Sequence, residues 1–205
     1  MRIVPLGLLL AALVLPEIAR AGAVERLKAF VDGTRAARGA FTQTVFTKSG
    51  KKPQQASGTM MFVRPGKFRW VYDQPYQQVL VGDGEKLWIW DKDLNQVTVK
   101  RIGKALGDSP AAFLAGEGDL ERHFTIIEVE SRDGMEWAEA RPKAPETSFE
   151  RLRLGFRGEA LQVMEILDNF GQTTVLVFAA IERNPPLPPA LFRFTPPKGA
   201  DVVGE

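Results

Sequence analysis

The runs Lys67-Phe68-Arg69-Trp70-Val71-Tyr72, Gln77-Gln78-Val79-Leu80-Val81 and Lys86-Leu87-Trp88-Ile89-Trp90, the last two joined by Gly82-Asp83-Gly84-Glu85, decide the fold. In the first, Phe68, Trp70 and Tyr72 alternate with Lys67 and Arg69, the period of a strand with one face buried. Asp-Gly between two apolar runs is the strongest short hairpin signal, because glycine and aspartate tolerate the positive φ of a tight turn. Pro65-Gly66 before the first run and Asp73-Gln74-Pro75 after it end the strand on both sides. Neighbouring antiparallel strands follow.

Outward from this centre the period of two persists. Residues 41–47 and 57–64 read as strands upstream, and 96–101 as one downstream. Beyond them come 124–130, 136–141, 149–156, 161–167 and 173–181, with turn chemistry at Asp133-Gly134, Arg157-Gly158 and Asn169-Phe170-Gly171. Phe192-Arg193-Phe194 reads as a last short strand before Pro196-Pro197. Three helical pieces interrupt the pattern. Val24, Leu27 and Val31, with Phe30 beside them, form a helix stripe ending at Gly33. Residues 109–115 follow an N-cap at Ser109 with Pro110 at the first helical position, and Gly116 and Gly118 end that helix. Residues 119–122 add one more turn. The expected fold is mainly β, with about ten or eleven short strands in one large antiparallel sheet. A sheet that wide curls, and three short helices are too few to fill its concave face, which points to a lidded cavity.

The N-terminus reads as a secretory signal peptide: Met1-Arg2, an apolar run over 3–15, and an A-x-A site at Ala19-Arg20-Ala21. The apolar run is shorter than the ~20 residues that span a bilayer. Expected boundaries are therefore a signal peptide over 1–21 and one domain over 22–205. With 27 basic and 25 acidic residues the chain is near neutral and shows no basic stripe, so nucleic acid and anionic membranes are poor partners on this reading. The 205 residues contain no cysteine, which removes disulfides, thiol chemistry and N-terminal lipidation.

Residues that could carry catalysis are few. His123 is the sole histidine, and no G-x-S-x-G element accompanies it to present a nucleophile. Asp91-x-Asp93-x-Asn95 begins like a calcium loop, but Gln96 and Ile102 stand where the loop needs Gly and Glu. Glu128, Glu130 and Glu136 fit a solvated strand face. No catalytic residue, metal ligand set or cofactor site is expected.

The informative residues are apolar. Met60 and Phe62 share a face, and Trp70, Trp88 and Trp90 place three of the four tryptophans on central strands. Together with Phe113 and Leu114 of the second helix, these are the candidate lining of a greasy cavity, with plain core as the alternative for each. Arg64 continues the parity of Met60 and Phe62. It is either a solvated strand end or a latch whose guanidinium binds the unpaired carbonyls ending a lid helix.

The run Phe41-Thr42-Gln43, the segment Val63-Arg64-Pro65-Gly66-Lys67-Phe68-Arg69-Trp70, the run Leu80-Val81-Gly82-Asp83-Gly84-Glu85-Lys86-Leu87-Trp88 and the close Phe192-Arg193-Phe194-Thr195-Pro196-Pro197-Lys198-Gly199 resemble the outer-membrane lipoprotein carrier family, LolA type. The resemblance covers the chain after the signal. It implies an unclosed β-barrel lidded by short helices, whose cavity accepts lipoprotein acyl chains. It implies a lid-latch role for Arg64 and a role for Phe68 in docking to an ATP-driven (ABC) exporter of the inner membrane. Acylated lipoproteins, that exporter and an outer-membrane acceptor are the implied partners, with a periplasmic monomer and no nucleic acid. A carrier or sensor of another lipid with the same fold, and a secreted lipid-modifying hydrolase, are the competing readings.

Overall fold

The computed structural model describes residues 22–102, 110–116, 119–145 and 147–204. The signal-peptide segment, Ser109 and Gly118 lie outside them. Helix α1 (Ala23–Gly33) comes first. It buries Ala23, Leu27, Phe30 and Val31 and ends at Gly33. Strands β1 (Ala36–Phe46), β2 (Gln54–Val63), β3 (Lys67–Gln74), β4 (Gln78–Asp83), β5 (Lys86–Asp91) and β6 (Gln96–Arg101) then run as an antiparallel meander.

Two short helices follow, α2 (Pro110–Ala115) and α3 (Leu120–His123). The Asp119 side chain accepts from the Arg122 amide and caps α3. The second meander comprises β7 (Phe124–Arg132), β8 (Met135–Pro142), β9 (Phe149–Arg157), β10 (Ala160–Asp168) and β11 (Thr173–Phe178). The chain closes with β12 (Glu182–Arg183), a 3₁₀ turn over Pro189–Phe192, and β13 (Asp201–Gly204).

The thirteen strands of the described residues form one sheet in the order β13-β6-β5-β4-β3-β2-β1-β11-β10-β9-β8-β7, with β12 beside β1. β13 and β7 end that order unpaired with each other, so the barrel is open. The two meanders join where β1 pairs β11, Phe41 opposite Phe178. The helices lie on the concave face, α1 against β7, β8 and β9, and α2 against β2 and β3.

The mainly β, unclosed fold matches the expectation, and three details differ. The described residues form thirteen strands, the extra two being the short β12 and β13. β13 pairs β6 in parallel, so the sheet is not wholly antiparallel. Phe192-Arg193-Phe194 is not a strand: Phe192 ends the 3₁₀ turn, and Phe194 lays its ring on the outer face against Trp88 and Trp90, at 5.8 and 6.1 Å between centroids. Alternation alone cannot make a strand where no ladder partner is available, and Pro196-Pro197 has no N–H to donate.

Candidate functional site: an apolar interior under a short helix

The hairpin turns set the register, and the register decides which side chains meet inside. Asp83 folds the β4–β5 turn. Its carboxylate accepts from the Glu85 and Lys86 amides at 2.9 and 2.7 Å and from Trp88 Nε1 at 2.9 Å. Burial pushes its carboxyl up, but these hydrogen bonds outweigh that and hold it below the ordinary range. Gly82 thereby faces Leu87, and across β3 Gly82 faces Phe68. The inward rows are Phe68, Gly82, Leu87 and then Trp70, Leu80, Ile89, and all of these but Gly82 belong to or pack on one apolar cluster.

That cluster contains Met60, Phe62, Phe68, Trp70, Phe113 and Leu114, each at most 4% exposed. It brings together five of the seven predicted lining residues. Trp88 and Trp90 are the exceptions. They pair with Val81 and Val79 on β4 and with Val99 and Val97 on β6, a row on the opposite face that Phe194 covers. Leu87 and Ile89 take the inward places instead.

The sequence reading missed the other half of the interior: Phe41, Leu152, Leu154, Phe156, Met164 and Leu176 are buried in the same cluster. The spacing of Leu152, Leu154 and Phe156 is a period-two signal that could have found three of them. The two halves are bridged by aromatic rings. Phe113 of α2 meets Phe124 edge-on at 5.3 Å, and Phe124 stacks on Phe149 at 6.2 Å. On the other side Phe41 lies 4.4 Å from Trp70.

Arg64 stands where β2 runs into the β2–β3 turn. Its Nη1 donates to the Gly116 carbonyl at 3.3 Å, just past the end of α2, and its guanidinium sits 5.2 Å from the centre of the Phe62 ring. The Gly66 amide donates to the Ala115 carbonyl at 2.7 Å. These contacts satisfy carbonyls that a helix end leaves unpaired. Burial lowers the Arg64 pKa to about 10, so the group stays cationic at neutral pH. Every described residue of α2 from Ala111 to Ala115 is buried.

Phe68 is 1% exposed and packs on Gly82, where a Cβ would come within 2.4 Å of its ring. In this closed arrangement it presents no surface. At the opposite end of the strands a cleft of about 360 Å³ opens to solvent, lined among others by Gln43, Tyr72, Phe113, Phe149, Ile166 and Phe170. Tyr72 donates to Gln43 Oε1 at 3.0 Å, and burial, with Tyr76 nearby, pushes its hydroxyl up to about 12, so it is neutral.

An open half-barrel whose concave face is apolar and covered by a short helix defines a class of protein that encloses greasy ligands. Residues 32–195 match the family described as outer membrane lipoprotein carrier protein LolA. The chain belongs to that family. It is 53% identical over 191 residues to the outer-membrane lipoprotein carrier protein of Dechloromonas aromatica, covering 93% of this chain and 92% of that one. It is 48% identical over 205 residues to the protein of the same description from Methylobacillus flagellatus, covering both chains completely. Among solved structures, an uncharacterized conserved protein of Thermus thermophilus shares the fold with a TM-score of 0.54 at 14% identity, over 89% of this chain and 99% of that one. A LolA superfamily protein of Nitrosomonas europaea does so at 0.51 and 10% identity, over 85% and 98%.

Proposed function

We propose that this protein is a periplasmic lipoprotein carrier, secreted by cleavage after Ala21. It takes lipoproteins from an ATP-driven exporter of the inner membrane, shields their acyl chains in the concave face, and passes them to an outer-membrane acceptor. The observation that carries this reading is the latched α2 plugging an apolar interior. An acyl chain entering there exchanges places with Phe113 and Leu114, so the cleft deepens into a cavity only as it fills.

The energetics suit a carrier. A buried methylene is worth ~0.8 kcal/mol, so exposing a chain of roughly fifteen costs about 12 kcal/mol. The empty carrier already satisfies its own apolar surface, so cargo binding recovers only the difference. That keeps affinity moderate and lets an acceptor with a more open pocket take the load. Phe68 serves exporter docking only once α2 has moved, since it is covered when the lid is shut.

The test is to add the purified processed chain to spheroplasts and look for outer-membrane lipoproteins in the soluble fraction. Release as a stoichiometric complex supports the carrier. No release, with the protein folded and an exporter of matching origin present, moves the cargo to another lipid. His123→Ala should release lipoprotein as the parent does; complete loss without unfolding would revive a hydrolase.

A further inference from the structure

Four neighbouring hairpins present an exposed apolar side chain at the same end of the sheet. In sheet order these are Leu94 in the β5–β6 turn, Tyr76 in the β3–β4 turn, Phe46 at the start of the β1–β2 turn and Phe170 in the β10–β11 turn. Their exposures are 71%, 42%, 44% and 88%. Successive hairpins are two strand spacings apart, ~10 Å. At the other end, the turns after β2, β4, β7 and β9 carry Pro65-Gly66, Gly84-Glu85, Asp133-Gly134 and Gly158-Glu159, with no exposed large hydrophobic residue among the described ones.

The turns hold these tips in place. Asp91 Oδ1 accepts from the Leu94 amide at 3.1 Å, and Asp168 Oδ1 accepts from the Phe170 and Gln172 amides at 2.9 and 2.8 Å. Between Phe46 and β2 the chain carries exposed Lys48, Lys51 and Lys52 with no acidic residue. A Cβ on Gly171 would lie 3.1 Å from the Lys48 Cδ, which makes this basic turn a neighbour of the Phe170 turn. Asp73 near the end of β3, Asp93 in the β5–β6 turn and Asp201 at the start of β13 are exposed acids nearby. The cleft lined by Tyr72, Phe113, Phe149 and Phe170 opens at this same end.

We propose that this rim docks on a lipid bilayer, with the apolar tips in the interface and the three lysines among anionic headgroups. A row of tips spread over four hairpins suits a broad surface, whereas a peptide would meet one or two of them. Aromatic side chains favour the membrane–water interface, and clustered lysines are drawn to anionic lipid. The near-neutral charge of the whole chain hides this local pattern. The contact stands apart from the carrier reading. Its purpose, turning the mouth toward the membrane, rests on that reading.

The test is flotation of the secreted, processed protein with vesicles of phosphatidylethanolamine and phosphatidylglycerol, and with vesicles of phosphatidylcholine alone. The protein should float with the first. A Leu94→Ser/Phe170→Ser pair should bind roughly tenfold more weakly or less, and Lys48→Gln/Lys51→Gln/Lys52→Gln should lose the preference for phosphatidylglycerol. Ile127→Ser, which removes a side chain 41% exposed in mid-strand, should float as the parent does. A parent that stays at the bottom of the gradient overturns the proposal, as it would if the rim served an acidic protein instead. Tip variants that float unchanged overturn it too. Failure of the carrier reading is seen separately, in whether the parent keeps an acylated peptide in solution.

Discussion

Arg64 Nη1 donates to the Gly116 carbonyl at 3.3 Å, while the Gly66 amide, two residues on, donates to the Ala115 carbonyl at 2.7 Å. The β2–β3 turn thus grips the end of α2 by one side chain and one backbone group. Arg64→Leu removes the side-chain half and leaves the backbone half, so the lid loosens without being lost. A net hydrogen bond to a charged donor is worth about 1.5 kcal/mol or somewhat more, which speeds opening roughly tenfold. Amide exchange of α2 should accelerate by that factor, and cargo uptake or release should shift with it. Unchanged protection of α2 would remove the latch.

Gly82 and Phe68 face each other across β4 and β3 with no room between them. A Cβ on Gly82 would lie 2.4 and 2.6 Å from two ring carbons of Phe68. Gly82→Ala should therefore destabilise by about 1–3 kcal/mol, the usual cost of overpacking. Phe68→Leu should recover part of that loss in the double variant, because a smaller side chain gives the methyl space. Urea unfolding of the four proteins measures the coupling. Additive effects would mean that the ring simply moves aside.

Much of the fold was legible because the turns are. Asp83-Gly84, Asp133-Gly134 and Pro65-Gly66 punctuate strands that alternate cleanly, and α1 ends at Gly33 as its stripe requires. The inward set Met60, Phe62 and Trp70 followed from the same parity. Trp88 and Trp90 did not, because Leu87-Trp88-Ile89-Trp90 is apolar on both faces and local alternation is silent there. Only the register carried across the Asp83 turn, from Phe68 through Gly82 to Leu87, sets the tryptophans outside. What covers the outer face could not be anticipated, since the cover is Phe194, more than a hundred residues away. β13 was illegible for a related reason: a four-residue strand with exposed side chains has no buried face to pattern.

This division of the tryptophans has a spectroscopic consequence. Trp70 is 2% exposed inside the concave cluster, while Trp88 and Trp90 lie on the far side of the sheet under Phe194. Trp137 also faces outward, under the Arg132 guanidinium at 4.2 Å. A brominated acyl chain bound in the cavity should quench Trp70 alone. Quenching should persist in Trp88→Phe and Trp90→Phe and fall close to zero in Trp70→Phe. Loss of quenching in Trp88→Phe would place the chain on the wrong face.

Glu139 is 1% exposed on β8 and is held by cations on its own strand and the next. Arg153 Nε donates to Oε2 at 2.7 Å, Arg141 Nη2 lies 2.6 Å from Oε1, and Arg151 stands 3.8 Å from Oε2. Burial pushes the Glu139 carboxyl up, and the hydrogen bonds from Arg153 and Arg141 more than reverse this, leaving it below the ordinary range. A carboxyl with a folded pKa below its unfolded one stabilises the fold fully above the unfolded value of about 4.3. That contribution is lost as the pH falls through the folded value. Glu139→Gln should thus cost stability at neutral pH. The arginines are about a third exposed or more, so solvent screens the pairs and the cost should be about 1–2 kcal/mol. The gap between the two proteins should narrow as the pH drops below about 4.3 and close once the parent carboxyl is protonated. Urea midpoints measured from pH 7 down to pH 3 follow this directly. Parallel loss of stability in both proteins across that range would show that Glu139 has the same pKa folded and unfolded, and that its arginine pairs contribute nothing to the fold.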